Sequence, residues 1–387
     1  MSTVKALILD PTTSEVTLRN IPKPTPATGE VLIRVRAIAL NPVDGLFIAH
    51  PIATSDRVIG LDFAGVVEGA ASDLETSTDK RTQTGARVAG FLQGACSGNF
   101  RPGAFAEYIT APYDLIWSVP DDMPLENASA VSMCGLTAAQ GVFYRMGLPA
   151  PFADTASATS SQQAEPINVL VYGSSSSLGQ YAAQMVNMAE KTSGRKIRLI
   201  GAASRAKHAF LSAAPFNYDV LVDYRDADWP EQVRKATEGA GVQYAVDSIA
   251  EGNTPALVES TLSEDGKFVT FVPHSPDDYD ASKLRIQPVY GAVWEGLGEM
   301  VTFRPGMVFP ADLKARAFAA SFFDYLGSGG VKVVPNPIRL MPGGLENVVA
   351  DGLALVSHAK VSQRKVQDRT EEYMRPISGE KIVYTIA

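Results

Sequence analysis

A chain of 387 residues is long enough for two domains with their own cores. Its formal net charge of −8 argues against nucleic acid or an anionic membrane as a main partner, and no uninterrupted apolar run approaches the roughly 18 residues of a membrane span. Two cysteines, Cys96 and Cys134, build no disulfide framework, and the first nine residues enter a strand pattern without a signal-peptide layout, so a cytoplasmic chain is expected.

Residues 1–120 read as short strands broken by Pro and Gly. Alternation over Val31–Ala39 comes after the turn Ala27-Thr28-Gly29-Glu30. Asn41-Pro42-Val43-Asp44 then stops the strand, because Pro42 removes a ladder donor and restricts Asn41. A second strand region spans 59–69, residues 71–84 form a polar loop, and 85–91 and 103–109 resume strand character. This half is expected to be a mostly β, barrel-like domain. At 123–131 the period turns helical, and a small-residue helix comes next over 135–143. Residues 149–166, rich in Ala, Ser, Thr and Gln, cannot bury enough to fold alone and read as an exposed insert.

Next comes Ile167-Asn168-Val169-Leu170-Val171-Tyr172-Gly173-Ser174-Ser175-Ser176-Ser177-Leu178-Gly179-Gln180: an apolar strand, a turn of tiny residues, then helical spacing. Such a turn lets a pyrophosphate approach the backbone and rest on N–H groups at a helix N-terminus. Gly173 and Gly179 stand six apart, with Ser176 where a third glycine would be expected. Alone, the stretch reads equally as an ordinary Ser-rich turn. The next hundred residues decide between the two: strands at 196–203, 220–224, 244–249 and 267–272 alternate with helices at 205–211, 229–237 and 254–262, the last ended by Asp265-Gly266. Strands spaced this way predict right-handed βαβ units and a doubly wound parallel sheet. A long amphipathic helix at 311–326, Val331–Val334, helical spacing over 352–359 and a terminal strand at 379–384 complete the chain.

In this order the segments resemble the medium-chain dehydrogenase/reductase superfamily. The carriers are Gly29–Val35, Asn41-Pro42-Val43-Asp44, Gly60-Leu61-Asp62-Phe63-Ala64-Gly65-Val66-Val67, Gly103–Tyr108, Gly135-Leu136-Thr137-Ala138, the Ser-rich turn and Ser378-Gly379-Glu380-Lys381. Within the superfamily the chain resembles the zinc-free quinone oxidoreductase and enoyl reductase branch, and most of all the trans-acting enoyl reductases of fungal polyketide synthases. The finer pointers are Gly147–Pro151, Val171-Tyr172-Gly173-Ser174 and Val222-Asp223-Tyr224-Arg225. The resemblance implies an α/β chain with a doubly wound Rossmann cofactor domain and a mostly β, GroES-like catalytic domain. The expected boundaries are 1–125 for the first part of the catalytic domain, 126–305 for the cofactor domain and 306–387 for the returning segment.

No metal is expected. Zinc-dependent relatives place a Cys near Asn41-Pro42 and a Gly-His-Glu where this chain has Gly60-Leu61-Asp62, and Leu61 offers no ligand. A structural site needs four close thiolates, and His50, His208, His274 and His358 are scattered. Where NAD-specific sheets carry an acid after the second strand, this chain has Ser204, Arg205, Ala206 and Lys207. A hydroxyl and two cations suit a 2′-phosphate, so NADPH is the expected cofactor. Arg205 and Lys207 also read as solvated residues of a helix start, which run against the helix dipole.

The implied reaction is hydride transfer from NADPH to the β-carbon of an α,β-unsaturated thioester, with protonation at the α-carbon. Such chemistry asks for positioning and for donors to the thioester oxygen, not for a protein nucleophile. The resemblance places Val43, Asp44, Gly45, Leu46, Gly173, Ser175, Ser176, Ser177, Leu178, Tyr224, Phe271, Val272, Ile377 and Ser378 at the cofactor, with Ser204, Arg205, Ala206 and Lys207. Thr137 lies beside the nicotinamide as the candidate catalytic residue; a local helix hydrogen bond is its other reading. Relatives often carry a Lys or Tyr donor just after Asn-Pro-x-Asp, and Gly45, Leu46 and Phe47 leave that role vacant. Substrate walls are expected from Ala139, Gln140, Gly141, Val142, Phe143, Tyr144, Arg145 and Met146, and from Val289, Tyr290, Gly291, Ala292 and Val293. Val142 and Phe143 also read as plain core. The implied partner is a polyketide synthase presenting a carrier-bound thioester, and the chain is expected to act as a monomer. A quinone or small-enone reductase, and an NADPH-binding protein without turnover, are the alternatives.

Overall fold

The computed structural model describes residues 2–52, 54–96, 98, 100–153, 166–273, 280–304, 307–356 and 368–387. They fall into two compact units, 1–133 with 294–387, and 134–293. The boundaries thus lie later and earlier than the expected 125/126 and 305/306. Residues 125–133 stay with the first unit because the Met133 N–H is bound by Asp62 at 2.8 Å and Trp117 donates to Ser132 at 2.9 Å. Residues 294–304 stay there through Trp294 to the Cys96 carbonyl and Gly98 to the Thr302 carbonyl. The insert at 149–166 lies largely outside the described residues, as do His274 and His358. No described helix is long and apolar enough to cross a membrane.

The first unit is built on strand Glu30–Ala39, whose alternate side chains are buried as the sequence period requires. It pairs antiparallel with Asp62–Ala70 on one side, and on the other with Tyr108–Pro112 over its first half and Lys381–Thr385 over its end. Arg87–Phe91, Ile116–Ser118 and Ile338–Leu340 extend this into a seven-stranded sheet. Thr3–Asp10 carries a smaller sheet with Glu15–Pro22 and Arg57–Val58. The stretch expected as a strand over 103–109 is strand only from Tyr108. Helix Pro42–Ala49 explains what stops the central strand. Pro is tolerated in a first turn, and Asn41 and Asp44 form a reciprocal capping box. Helix Leu313–Gly327 starts where Asp312 accepts the N–H groups of Lys314 and Ala315, and it buries Ala315, Ala319, Phe322, Phe323 and Leu326. That i, i+4, i+7 spacing is the apolar stripe of the sequence.

The second unit holds a six-stranded, all-parallel sheet. Its order is Val220–Val222, Ile197–Ala202, Ile167–Tyr172, Val242–Asp247, Leu262–Thr270, Val289–Tyr290. Numbered from the first strand in sequence this is 3-2-1-4-5-6, the doubly wound order whose reversal lies beside Ile167–Tyr172. One expectation fails here. Asp265-Gly266 does not end the helix, which closes at Ser260; both residues lie inside strand Leu262–Thr270. Pairing jumps from Val242↔Leu262 to Tyr244↔Lys267, an irregularity of register, and Gly266 lies where a Cβ would be 2.9 Å from Leu262 Cβ and 3.0 Å from the Val242 carbonyl oxygen. The expected helix at 205–211 divides into a 3₁₀ turn, Arg205–Lys207, and a short helix, His208–Ser212.

Candidate active site

At the C-terminal end of strand Ile167–Tyr172 the chain turns through Gly173, with φ +72°, into helix Ser177–Ser193. Two backbones nearly touch: a Cβ on Gly179 would lie 2.4 Å from the Gly173 carbonyl oxygen. The Gly173 and Ser174 N–H groups both donate to the Ala202 carbonyl at 3.1 Å, and Ser174 Oγ donates to the Val171 carbonyl, which turns these groups inward. The rim is then left to the half-buried run Ser175–Leu178 and the opening of a 17-residue helix. A close approach of two backbones at a helix N-terminus is a geometry that can accept an anion.

Ser176 is the helix N-cap: its Oγ accepts the Gly179 N–H at 2.9 Å and lies 2.9 Å from Ser248 Oγ. Ser248 donates to the Tyr172 carbonyl, so the cap joins the turn to the end of the fourth strand in sequence. Behind it Asp247 is fully buried and accepts the N–H groups of Ile249 and Ala250 and the Thr254 hydroxyl. Burial pushes its carboxyl up to about 6 despite those bonds. No sequence motif marked Asp247; its signal is an acid closing an apolar strand run.

The other expected residues of this unit sort by position. Ser204, Arg205, Ala206 and Lys207 follow the second strand, Tyr224 follows the third, and Phe271 and Val272 follow the fifth, all at the strands' carboxyl ends. Arg205, Ala206, Tyr224 and Val272 are exposed. The sequence lacks an acid after the second strand, but the structure brings one from the third: Asp223 accepts the Arg205 N–H at 3.1 Å. Thr137 is buried in helix Ser132–Ala139. Gly141 sits against Phe271, where a Cβ would be 2.6 Å from the ring, and Arg145 lies over Gly291. Gln140 Nε2 donates to the Val293 carbonyl at 3.4 Å, so the two stretches expected as substrate walls meet. Ala139–Phe143 and Met146 are buried, Phe143 packs edge-on against Phe152 at 5.8 Å, and Tyr144 and Val289 are exposed.

In the first unit Val43, Asp44, Gly45 and Leu46 occupy helix Pro42–Ala49, Ile377 packs on the core, and Ser378 is exposed. The sequence reading missed the polar cluster beneath that helix. Lys381 Nζ donates to Asn41 Oδ1 at 2.5 Å and to Asp62 Oδ2 at 2.9 Å, and Asn41 Nδ2 also donates to Asp62 Oδ2 at 2.9 Å. All three residues are buried, so this ion pair stands in low dielectric with its hydrogen bonds made. Asn41 and the Gly60-Leu61-Asp62 segment are the positions compared with metal ligands in the sequence, and here an ammonium joins Asn41 and Asp62. Among the described residues no group of three or more His, Cys, Asp or Glu could hold a metal ion. Asp44, also buried, accepts the Asn41 N–H at 2.7 Å, and burial raises its carboxyl to about 8. Cys96 is buried nearby and raised by the same desolvation; Cys134 is half-buried.

A strand, small-residue turn and helix in this strand order make the Rossmann arrangement, and similarity to known proteins supplies the class of protein built on it. The Alcohol dehydrogenase GroES-like domain family matches residues 27–121. The trans-enoyl reductase ACTTS2 of Alternaria alternata is 28% identical over 95% of this chain and 98% of its own length. The trans-enoyl reductase thnE of Trichoderma harzianum is 31% identical over 87% of this chain and 88% of its own. Among solved structures, a mycobacterial protein complexed with NADPH superposes with a TM-score of 0.63 at 21% identity, covering 99% of this chain and 100% of that one. The chain belongs to the medium-chain dehydrogenase/reductase superfamily, in the family of the trans-enoyl reductases.

Proposed function

We propose that this chain is an NADPH-dependent enoyl reductase that acts in trans on the α,β-unsaturated thioester of a growing polyketide, presented by a separate polyketide synthase. The observation that carries the reading is the turn at 173–179, set at the carboxyl end of the first strand of a 3-2-1-4-5-6 sheet. Family membership supplies the reaction class, since ACTTS2 and thnE are trans-enoyl reductases. Bound NADPH would supply the hydride.

The chain's own residues would bind and orient. The turn's main chain takes the pyrophosphate, because Gly179 allows the backbones to meet and Ser175, Ser177 and Leu178 leave the rim narrow. Ser204, Arg205 and Lys207 take the 2′-phosphate, and Tyr224 the adenosine. Thr137 orients the nicotinamide end. The apolar 139–146 and 289–293 stretches take the acyl chain, which is poorly hydrated and gains by burial. No acid in the chain needs to be a nucleophile, and the α-carbon proton can come from water.

The decisive experiment uses NADPH deuterated at the transferring position with a crotonyl pantetheine thioester. Deuterium at the β-carbon of the saturated product is expected. Turnover of free quinones but not of acyl thioesters would replace this reading with a quinone reductase. Tight NADPH binding without transfer to either would make the chain a binding protein.

A further inference from the structure

Asp223 ends the strand Val220–Val222 with its side chain only 9% exposed. Its Oδ2 accepts the Arg205 N–H at 3.1 Å and its Oδ1 the Arg225 N–H at 3.0 Å. The same carboxylate faces the Arg205 guanidinium at 4.0 Å and that of Arg225 at 3.7 Å. One buried acid therefore fixes two segments, 204–207 and 224–226, that leave neighbouring strands. Main-chain N–H donation, that of Arg225 first, holds Asp223 below the usual carboxylate range, so it stays ionised at neutral pH.

Both guanidiniums stay largely in solvent, Arg205 at 77% and Arg225 at 60% exposure, where an incoming anion can reach them. Arg225 lies over the Tyr224 ring, 4.7 Å from its centroid. Tyr224 meets the edge of Tyr172 at 6.4 Å, and Tyr172 rests on buried Trp229 at 5.2 Å, so the ring under Arg225 is anchored in the core. Ser204 opens the 3₁₀ turn without spending its hydroxyl on a cap. Three cations (Arg205, Lys207, Arg225) stand against two acids, Asp223 and Asp226, the latter 3.4 Å from Arg205. A ribose 2′-hydroxyl would want an acceptor turned towards it, and both Asp223 oxygens are turned to the main chain and guanidiniums of Arg205 and Arg225. A phosphate wants donors in fork geometry, which two arginines offer.

We infer that Asp223 draws Arg205 and Arg225 into a two-guanidinium seat for the cofactor's 2′-phosphate, with Arg225 as a residue that sets the preference for NADPH over NADH. The inference rests on the NADPH reading. Asp223 is a positioning residue and Arg225 a direct contact.

The test measures dissociation constants of the full chain and of Arg225→Ala and Asp223→Asn for NADPH, NADH, adenosine 2′,5′-bisphosphate and 5′-AMP. Arg225→Ala is a surface change that leaves the fold intact, and it should raise the constants for NADPH and the bisphosphate about tenfold. Those for NADH and AMP should stay within about twofold. Asp223→Asn should move the same two ligands in the same direction. Equal shifts for ligands with and without the 2′-phosphate, or no shift for NADPH with Arg225→Ala, overturn the seat. A wild-type chain that binds NADPH no better than NADH instead overturns the NADPH reading itself.

Discussion

The two units make their polar sites in opposite ways. In 134–293 the site is a rim. The turn at 173–179 is made of tiny residues around one half-buried cap, and of the charged groups that follow the neighbouring strands Arg205 and Arg225 are exposed and Lys207 is half-buried. In the other unit the polar groups are sealed. Asn41, Asp62 and Lys381 are at most 3% exposed, and Lys381 meets Asn41 across 340 positions of chain. A rim tolerates change at one position, because water replaces whatever is lost. A sealed ion pair does not, because the partner left behind has no water to turn to. The contrast sorts mutations by where their cost falls: binding for the rim, stability for the sealed cluster.

The largest expected effect tests this asymmetry directly. Lys381→Met removes the cation and leaves Asp62 buried without it, with the Asn41 amide and the Met133 N–H still donating to it. It should cost about 3–5 kcal/mol in denaturant unfolding. The double variant Lys381→Met with Asp62→Leu should recover much of that loss, since removing both charges removes the desolvation penalty. A Lys381→Met protein as stable as the parent would show that the cluster carries no strain of burial, and the contrast between the units would fall.

The same division separates what the sequence makes legible from what it does not. The parallel sheet, its Ser-rich turn and helix Leu313–Gly327 announce themselves through periodicity and adjacent small residues, all local signals. The Lys381 cluster is invisible locally. A lysine inside an apolar strand looks like an edge charge until the strand is paired with Glu30–Ala39 and its phase is known. Asp223 is an intermediate case: its residue type is a family pointer, yet its reach to Arg205 depends on two strands lying side by side. Ser176 is half legible: its hydroxyl accepts the Gly179 N–H three residues on, a local cap, but it also lies 2.9 Å from Ser248 Oγ, which no window of sequence around the turn displays.

A second expected effect is a pH dependence confined to the sealed unit. Asp44 has a folded pKa of about 8, raised by burial, against an ordinary carboxyl value of 3.8. It faces Lys381, which lowers it, and Asp62, which raises it, while Cys96 lies nearby and titrates higher still. Because the folded form holds its proton where the unfolded chain has released it, stability is greatest below pH 4 for this group and is lost as pH rises towards 8. The slope between pH 6 and 7 should approach about 1.4 kcal/mol per pH unit, one proton's worth. Asp44→Asn keeps an acceptor for the Asn41 N–H and cannot titrate, so its unfolding free energy should change less over that interval. A parent and variant with the same slope would mean that Asp44 is ionised in the fold and has partners the cluster does not display.

The smallest effect is at the rim, and it decides what Ser176 does. As an N-cap, its hydroxyl satisfies one helix N–H, and Ser176→Ala should cost about 1 kcal/mol of stability. The cofactor should be nearly indifferent, with the NADPH dissociation constant changing less than about threefold, because the main chain of the turn is unaltered. Ser176→Asp sharpens the point. Aspartate is as good a cap as serine and interacts favourably with the helix dipole, so stability should be kept or slightly raised. Its negative charge would meet the pyrophosphate, however, and NADPH binding should weaken by about tenfold or more. Cap chemistry and cofactor chemistry then move in opposite directions at one residue. If Ser176→Ala instead leaves the melting temperature alone and weakens NADPH tenfold, the hydroxyl turns to the phosphate when the cofactor arrives. The rim would then spend side chains as well as backbone on its ligand, and its tolerance to change would be narrower than its exposure suggests.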